Sequence, residues 1–145
     1  MTQPDIARIA AQTRNIAVVG LSPKPERPSH EVAHYLQNLG YRIIPVNPGH
    51  AGEQILGETT YATLSDIPAD AAVNMVDIFR RSESVPAVVD EALAALPGLK
   101  TIWMQIGVMH DQAADKARAA GKTVVQDRCP KIEFPRVGAA GPKGA

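Results

Sequence analysis

Five short strand-like segments spaced along the chain, the first of them a continuous apolar run, restrict its fold more than any other feature. They occupy residues 16–21, 41–46, 73–78, 101–105 and 123–126. Runs of this kind suit strands of a parallel sheet covered on both faces, where no alternation with polar residues is needed. Helical patterns separate them. Residues 4–14 place Ile6, Ile9, Ala10 and Thr13 on one face, with Thr2 as a cap and Pro4 in the first turn. Residues 30–39 carry the stripe Val32, Ala33, Leu36 and Leu39, preceded by Pro28, with Ser29 as the expected N-cap and Gly40 as the stop. Residues 84–96 follow the i, i+3, i+4, i+7 rule through Val85, Val88, Val89, Ala92, Leu93 and Leu96, and Gly98 follows. A last helix over 111–120 ends at Gly121. Residues 49–70 read as irregular, with one helical turn near Leu64.

Strands alternating with helices predict an α/β fold: a doubly wound, Rossmann-like parallel sheet of five strands with helices on both faces. Right-handed crossovers restrict the strand order, and 3-2-1-4-5 is the expected one. Residues 1–137 would form this single domain, and the glycine-rich tail 138–145 would be disordered. Ligands of such sheets sit at the strand C-terminal ends where the winding reverses, here between strands one and four. Loops 20–29, 47–50, 77–82 and 105–110 reach that point. Gly20, Ser22, Asn47, Asp77 and Gln105 are thereby selected by position alone.

Charge and composition remove several function classes. The 145 residues carry 15 basic and 15 acidic side chains. A net charge near zero argues against a nucleic-acid partner or a basic membrane-surface protein. No apolar run approaches a membrane span and the N-terminus lacks a signal-peptide core, so a cytoplasmic protein is expected. The single cysteine, Cys129, excludes an internal disulfide and a cysteine-rich zinc site.

The loop after the first strand reads Gly20-Leu21-Ser22-Pro23-Lys24-Pro25-Glu26-Arg27-Pro28-Ser29. It leads into a helix N-terminus, whose unpaired N–H groups and positive dipole end favour anions. Ser22 and Ser29 add hydroxyls, Lys24 and Arg27 add charge, and three prolines limit the ordering entropy lost on binding. A polyphosphate ligand is the functional reading. A solvated, proline-rich connection is the alternative. Neither the GxxxxGK[ST] phosphate loop nor the GxGxxG dinucleotide fingerprint is present. Asn47, not an acid, ends the second strand. A neutral residue there, near cations, suits an adenosine ribose that carries its own phosphate: coenzyme A or, less well, NADP.

Four blocks, VVGLSPKPERPSHEVAHYLQNLGYRIIPVNP, VDIFRRSE, WMQIGV and VVQDRCPKIE, together resemble the small stand-alone CoA-binding proteins. Those are single Rossmann-like domains akin to the CoA-binding domain of succinyl-CoA synthetase α subunits. The resemblance spans about residues 5–136. It implies that loop 22–29 lies along the ligand's phosphates and that Val46, Asn47 and Pro48 border the adenosine end. It implies further that Asp77, Ile78, Phe79 and Arg80 line the next wall, with Gln105 and Gly107 near the pantetheine path. The synthetases use a phosphorylated histidine in a second domain that has no counterpart here, so CoA or acyl-CoA binding without catalysis is expected.

The remaining motifs are weaker. His30-Glu31-Val32-Ala33-His34 matches HExxH, but it sits in a first helical turn with no third ligand in the usual place, so no metal is expected. Arg80 and Arg81 are either anion contacts or a solvated pair, and Asp77 either accepts a ligand N–H or caps the next loop. Trp103, in mid-strand, is expected in the core. Cys129 reads as a partly buried small residue, with mixed-disulfide formation to a bound coenzyme as the alternative, since Arg128 and Lys131 would favour its thiolate. An NAD(P)-binding module of an oxidoreductase or redox sensor, and an acyl-CoA enzyme acting alone or with a partner subunit, stay open beside the CoA-binding reading. So does a homodimer.

Overall fold

The computed structural model describes residues 4–142. Five parallel strands form one sheet: β1 (Asn15–Val19), β2 (Arg42–Val46), β5 (Met75–Ile78), β6 (Thr101–Met104) and β7 (Thr123–Val125). A two-stranded antiparallel hairpin, β3 (Gln54–Ile55) and β4 (Glu58–Thr59), forms its own ladder beside β2, with Arg42 bound to Glu58 at 3.2 Å. The helices are α1 (Ile6–Gln12), α2 (Pro28–Asn38), α3 (Val85–Ala95), α4 (Asp111–Ala119) and α5 (Pro130–Arg136). None is long and apolar enough to cross a membrane.

Successive side chains of each strand point to opposite faces, and this divides the core in two. Ala17 and Val19 of β1 join a cluster with Val76, Ile78, Val85, Val89, Ala92 and Ala117 under α3 and α4. Ile16 and Val18 join Ile9, Val32, Leu36, Tyr41, Trp103 and Phe134 under α1, α2 and α5. Trp103 is core, as expected: it is fully buried, edge-on to Phe134 at 5.9 Å, and its Nε1 donates to the Arg128 carbonyl at 2.7 Å. The long strands are thus covered on both sides, which is why they are mostly apolar and show no alternation with exposed polar residues.

The expected class stands, but the expected strand order does not. The sheet runs β2-β1-β5-β6-β7, which is 2-1-3-4-5 for the five long strands and not 3-2-1-4-5. The third strand crosses β1 and pairs with its far side, Ile16 opposite Met75 and Val19 opposite Ile78. Pro45 supplies the reason. The Val46 carbonyl faces β1, where it accepts from Gly20 N–H at 2.8 Å. Pro45 faces the other way, its carbonyl accepting from Tyr61 N–H at 3.0 Å. A proline has no N–H for a ladder, so it is tolerated on an edge strand and not in the sheet interior where 3-2-1-4-5 would put it. The winding therefore reverses between β1 and β5, not between strands one and four, and the loops after those two neighbours flank the crevice.

Other differences are local. Thr2 lies outside the described residues, and Asp5 caps α1, its side chain accepting from Arg8 N–H at 3.0 Å. Ser29 is not the N-cap of α2. The helix starts two residues earlier, with Pro28 at its first position, where a missing N–H costs nothing. Residues 49–70 hold the hairpin and a 3₁₀ turn at Leu64–Asp66, with another at Ala69–Ala71. Helix α5 has no counterpart among the elements expected from the sequence. Of the tail, 143–145 lie outside the described residues; Ala139 donates to the Phe134 carbonyl at 2.9 Å and packs on the second core.

Candidate functional site

Gly20 ends β1 with φ +89°, a conformation that glycine adopts without penalty. A Cβ there would run into the Phe79 carbonyl. The loops after β1 and β5 therefore touch at the reversal point, and Phe79 N–H donates to the Val19 carbonyl at 2.9 Å. From Gly20 the chain folds back on the start of α2. The Ser29 hydroxyl accepts from Ser22 N–H at 2.9 Å, the Ser22 hydroxyl from Lys24 N–H at 3.1 Å, and the Lys24 carbonyl from Arg27 N–H at 3.0 Å. The loop that looked stiff from its prolines is also internally bonded.

This loop walls a cleft of about 410 Å³, lined by Gly20, Ser22, Lys24, Arg27, Pro28, Ser29, His50 and Phe79. Lys24 and Arg27 are exposed and form no ion pair among the described residues. Below them the first N–H groups of α2 have no helical partner. The cleft thus gathers hydroxyls, free cations and a positive helix end, with His50 at its rim 3.0 Å from Glu53.

A second, larger cleft of about 700 Å³ adjoins it, sharing Pro28 and Phe79. Its character is different. Val32, Phe79, Ile106, Val108 and Cys129 build an apolar wall, Arg80 and Arg81 stand at the surface, and Gln105 is the buried polar member. Hydrogen bonds between loops hold this wall. Gly107 N–H donates to Asp127 Oδ1 at 2.7 Å, and Met109 N–H to Ser82 Oγ at 3.0 Å.

Of the residues selected from the sequence, Gly20, Ser22, Lys24, Arg27 and Ser29 line the cationic cleft, and Arg80 and Gln105 the apolar one. Phe79 lines both. Val46 and Pro48 do not join them; with Arg80 they border a separate cavity of about 120 Å³. Ile78 is wholly buried in the core. Gly107 is exposed with φ +83°, and nothing stands within 4 Å of a Cβ placed there. Asn47 has a structural task. Its Nδ2 donates to the Leu21 carbonyl at 3.0 Å and its Oδ1 accepts from Gly49 N–H at 3.1 Å, so its amide ties the β2 loop to the β1 loop.

Asp77 is fully buried in β5 and neither meets solvent nor caps a loop. With the Gln105 amide turned so that Nε2 faces it, that nitrogen lies 2.9 Å from Asp77 Oδ1 and 3.1 Å from Oδ2. Burial pushes the Asp77 carboxyl well above the usual range. Two N–H bonds from Gln105 favour the charged form and act against that push.

The zinc-like motif is engaged otherwise. Glu31 binds Lys131 of α5 at 2.6 Å, and that hydrogen bond, with the Lys131 charge, holds its carboxyl below the usual range. Among the described residues no group of three or more His, Cys, Asp or Glu side chains could hold a metal. Cys129 is 7% exposed in the apolar wall. The cations expected to act on it are committed elsewhere, Lys131 to Glu31 and Arg128 to Glu133 at 3.4 Å.

Sequence reasoning missed His50, Val32, Ile106 and Val108 as lining residues. Val32 belongs to the apolar stripe of α2 and reads only as core; Ile106 and Val108 flank Gly107 in a loop whose shape no local pattern reveals.

Residues 14–135 match the model of the CoA binding domain family. The chain belongs to that family. It is 37% identical over 131 residues to the uncharacterized protein YneT of Bacillus subtilis, covering 90% of this chain and 93% of that one. A hypothetical protein from Pyrococcus horikoshii OT3 shares the fold with TM-score 0.83 at 35% identity, over 94% of this chain and 96% of the other. An acetyl-coenzyme A synthetase from Ca. Korarchaeum cryptofilum, 24% identical, has the same fold in part of its length: TM-score 0.66, over 83% of this chain and 26% of that one. The family expected from the four sequence blocks is the family found.

Proposed function

We propose that this protein binds coenzyme A or an acyl-CoA across both clefts, diphosphate on loop 22–29 and the start of α2, pantetheine arm along the apolar wall. One observation carries the reading: a small cationic, hydroxyl-lined cleft opens directly into a larger apolar one, and Phe79 and Pro28 belong to both. Coenzyme A has the same two-part chemistry, a polyanionic nucleotide joined to an uncharged arm. The small cleft supplies anion contacts that need no rearrangement, since its cations have no ion-pair partner among the described residues and its loop is bonded in place. The preference for a phosphorylated ribose rests on Lys24, Arg27 and Arg80; Asn47, engaged with the loop, takes no part in it. Binding without turnover is part of the proposal. Asp77 stands behind Gln105, and Cys129 has no base beside it among its bonded neighbours.

Calorimetric titration tests this. Coenzyme A should bind more tightly than dephospho-coenzyme A, and both more tightly than NAD. One charge-assisted contact to the extra phosphate contributes about 1.5–3 kcal/mol, which is about ten- to a hundredfold in affinity. Lys24→Ala and Arg27→Ala should each weaken binding, and added salt should weaken it further. Tighter binding of NAD, or undiminished coenzyme A binding by the folded double variant, rules the reading out.

A further inference from the structure

Residues 105–110 join β6 to α4, and Ile106 and Val108 from this loop stand in the wall of the larger cleft. Packing does not fix the loop at its outer turn. Ile106 is 60% exposed, and nothing stands within 4 Å of a Cβ placed on Gly107. Three of its backbone N–H groups are instead held by side chains from other loops. Met109 N–H donates to Ser82 Oγ at 3.0 Å, His110 N–H to Gln126 Oε1 at 2.8 Å, and Gly107 N–H to Asp127 Oδ1 at 2.7 Å. The Asp127 bond is the shortest of these, and it is the one at Gly107, between the two lining side chains. Asp127 itself is exposed and has φ +57°, in the left-handed region. That region costs every residue with a Cβ some energy, though Asp and Asn least. Glycine would turn the chain there without strain but has no oxygen to offer Gly107. Strain of this kind persists where the surroundings hold it in place, and such positions cluster at functional sites.

We propose that Asp127 is a positioning residue of the larger cleft: by holding Gly107 N–H it sets Ile106 and Val108 where the uncharged arm of the ligand meets them. The proposal rests on the coenzyme A reading above and adds to it a residue that lines neither cleft. Asp127 acts at one end of the ligand only. The smaller, cationic cleft is lined by no residue of 105–110, so the nucleotide end does not register the anchor.

The experiment titrates coenzyme A and ADP, the nucleotide end without the arm, into the parent protein, Asp127→Ala and Asp127→Asn. Without its anchor the loop has to be ordered on binding, and affinity falls by the fraction of molecules that already hold it in place. One hydrogen bond sets that fraction, so Asp127→Ala should bind coenzyme A about two- to tenfold more weakly and ADP as the parent does. Asparagine keeps an acceptor oxygen and tolerates the left-handed conformation, so Asp127→Asn should recover most of the lost affinity. A residue that only stabilised the fold would weaken both ligands together and would not discriminate between them. Amide hydrogen exchange on the parent protein gives a readout that needs no variant: the Gly107 N–H should exchange slowly although Gly107 is exposed. Equal losses for the two ligands, undiminished coenzyme A affinity in folded Asp127→Ala, or fast exchange at Gly107 in the parent overturns the role of Asp127. Failure of the parent protein to bind either ligand would instead overturn the coenzyme A reading, and the exchange rate at Gly107 would still decide whether Asp127 holds the loop.

Discussion

Replacing Gly20 by alanine strikes the contact that brings the two crevice loops together. Two separate penalties arise. Alanine at φ +89° pays the left-handed cost, about 1–2 kcal/mol. Its Cβ must also displace the Phe79 carbonyl, a backbone group that cannot swing aside as a side chain would. Forcing an extra carbon into a filled site costs about 1–3 kcal/mol. Together these give a loss of roughly 2–5 kcal/mol, a large share of the 5–15 kcal/mol that holds a domain folded. At about 2–4 °C per kcal/mol the melting temperature should fall by about 4–20 °C. Urea unfolding followed by the fluorescence of Trp103, the single and wholly buried tryptophan, measures this directly. Gly107→Ala is the control. Its φ of +83° carries the same conformational cost, but its Cβ meets nothing within 4 Å. The difference between the variants isolates the collision. Coenzyme A affinity should fall more than tenfold in Gly20→Ala wherever it remains folded, since the carbonyl that must move belongs to Phe79, shared by both clefts. Equal stabilities for the two variants would show that the loops do not meet as described.

Three further outcomes are expected. Burial raises the folded-state pKa of Asp77 above its unfolded value of about 3.9, the Gln105 contact offsetting part of the shift, so between the two pKa values the folded chain binds the proton more tightly than the unfolded one, and stability from this group falls as pH rises through that interval; Asp77→Asn should therefore gain on the parent as pH rises, with the gap closing in acid, and urea midpoints showing a pH-independent gap would refute it. Asn47→Asp removes the donor to the Leu21 carbonyl and sets one oxygen against another, which should cost about 1–3 kcal/mol in the same assay; an unchanged midpoint would show that the amide does not hold the loop. Phe134→Ala should cost about 3–5 kcal/mol, because Phe134 is fully buried between Tyr41 at 6.0 Å and Trp103, and thermal unfolding that shifts by less than a third of this would mean α5 is not docked on the sheet.

The long elements were legible because their signals are local. Val85, Val89 and Ala92 are wholly buried where the periodicity of α3 puts them, and the apolar runs of β1, β5 and β6 are covered on both faces. Strand order is a nonlocal property, and the general preference for 3-2-1-4-5 outweighed the one residue, Pro45, that spoke against it. Helix α5 lacks a clear sequence signal because it is only seven residues long and holds Pro130 and Pro135, of which the first opens the helix and the second lies a residue from its end. The hairpin has only two residues per strand, too few for any pattern. The cationic half of the site was readable since charge, hydroxyl and proline fall within one loop. The apolar half comes from α2, the loops after β5 and β6, and Cys129 at the start of α5, and its residues are brought together only when the chain is folded.

The edge position of Pro45 also bears on how copies of this chain can meet. An exposed sheet edge is a template on which a second chain can add a strand, the usual first step of uncontrolled aggregation. Along β2 that template is broken. Pro45 has no N–H to offer, its carbonyl is taken by Tyr61, and the Asn47 N–H donates to the Tyr61 carbonyl at 2.9 Å. At the opposite edge β7 is three residues long. Extension of the sheet by a second chain is thus opposed at Pro45 on one margin and offered only three residues on the other.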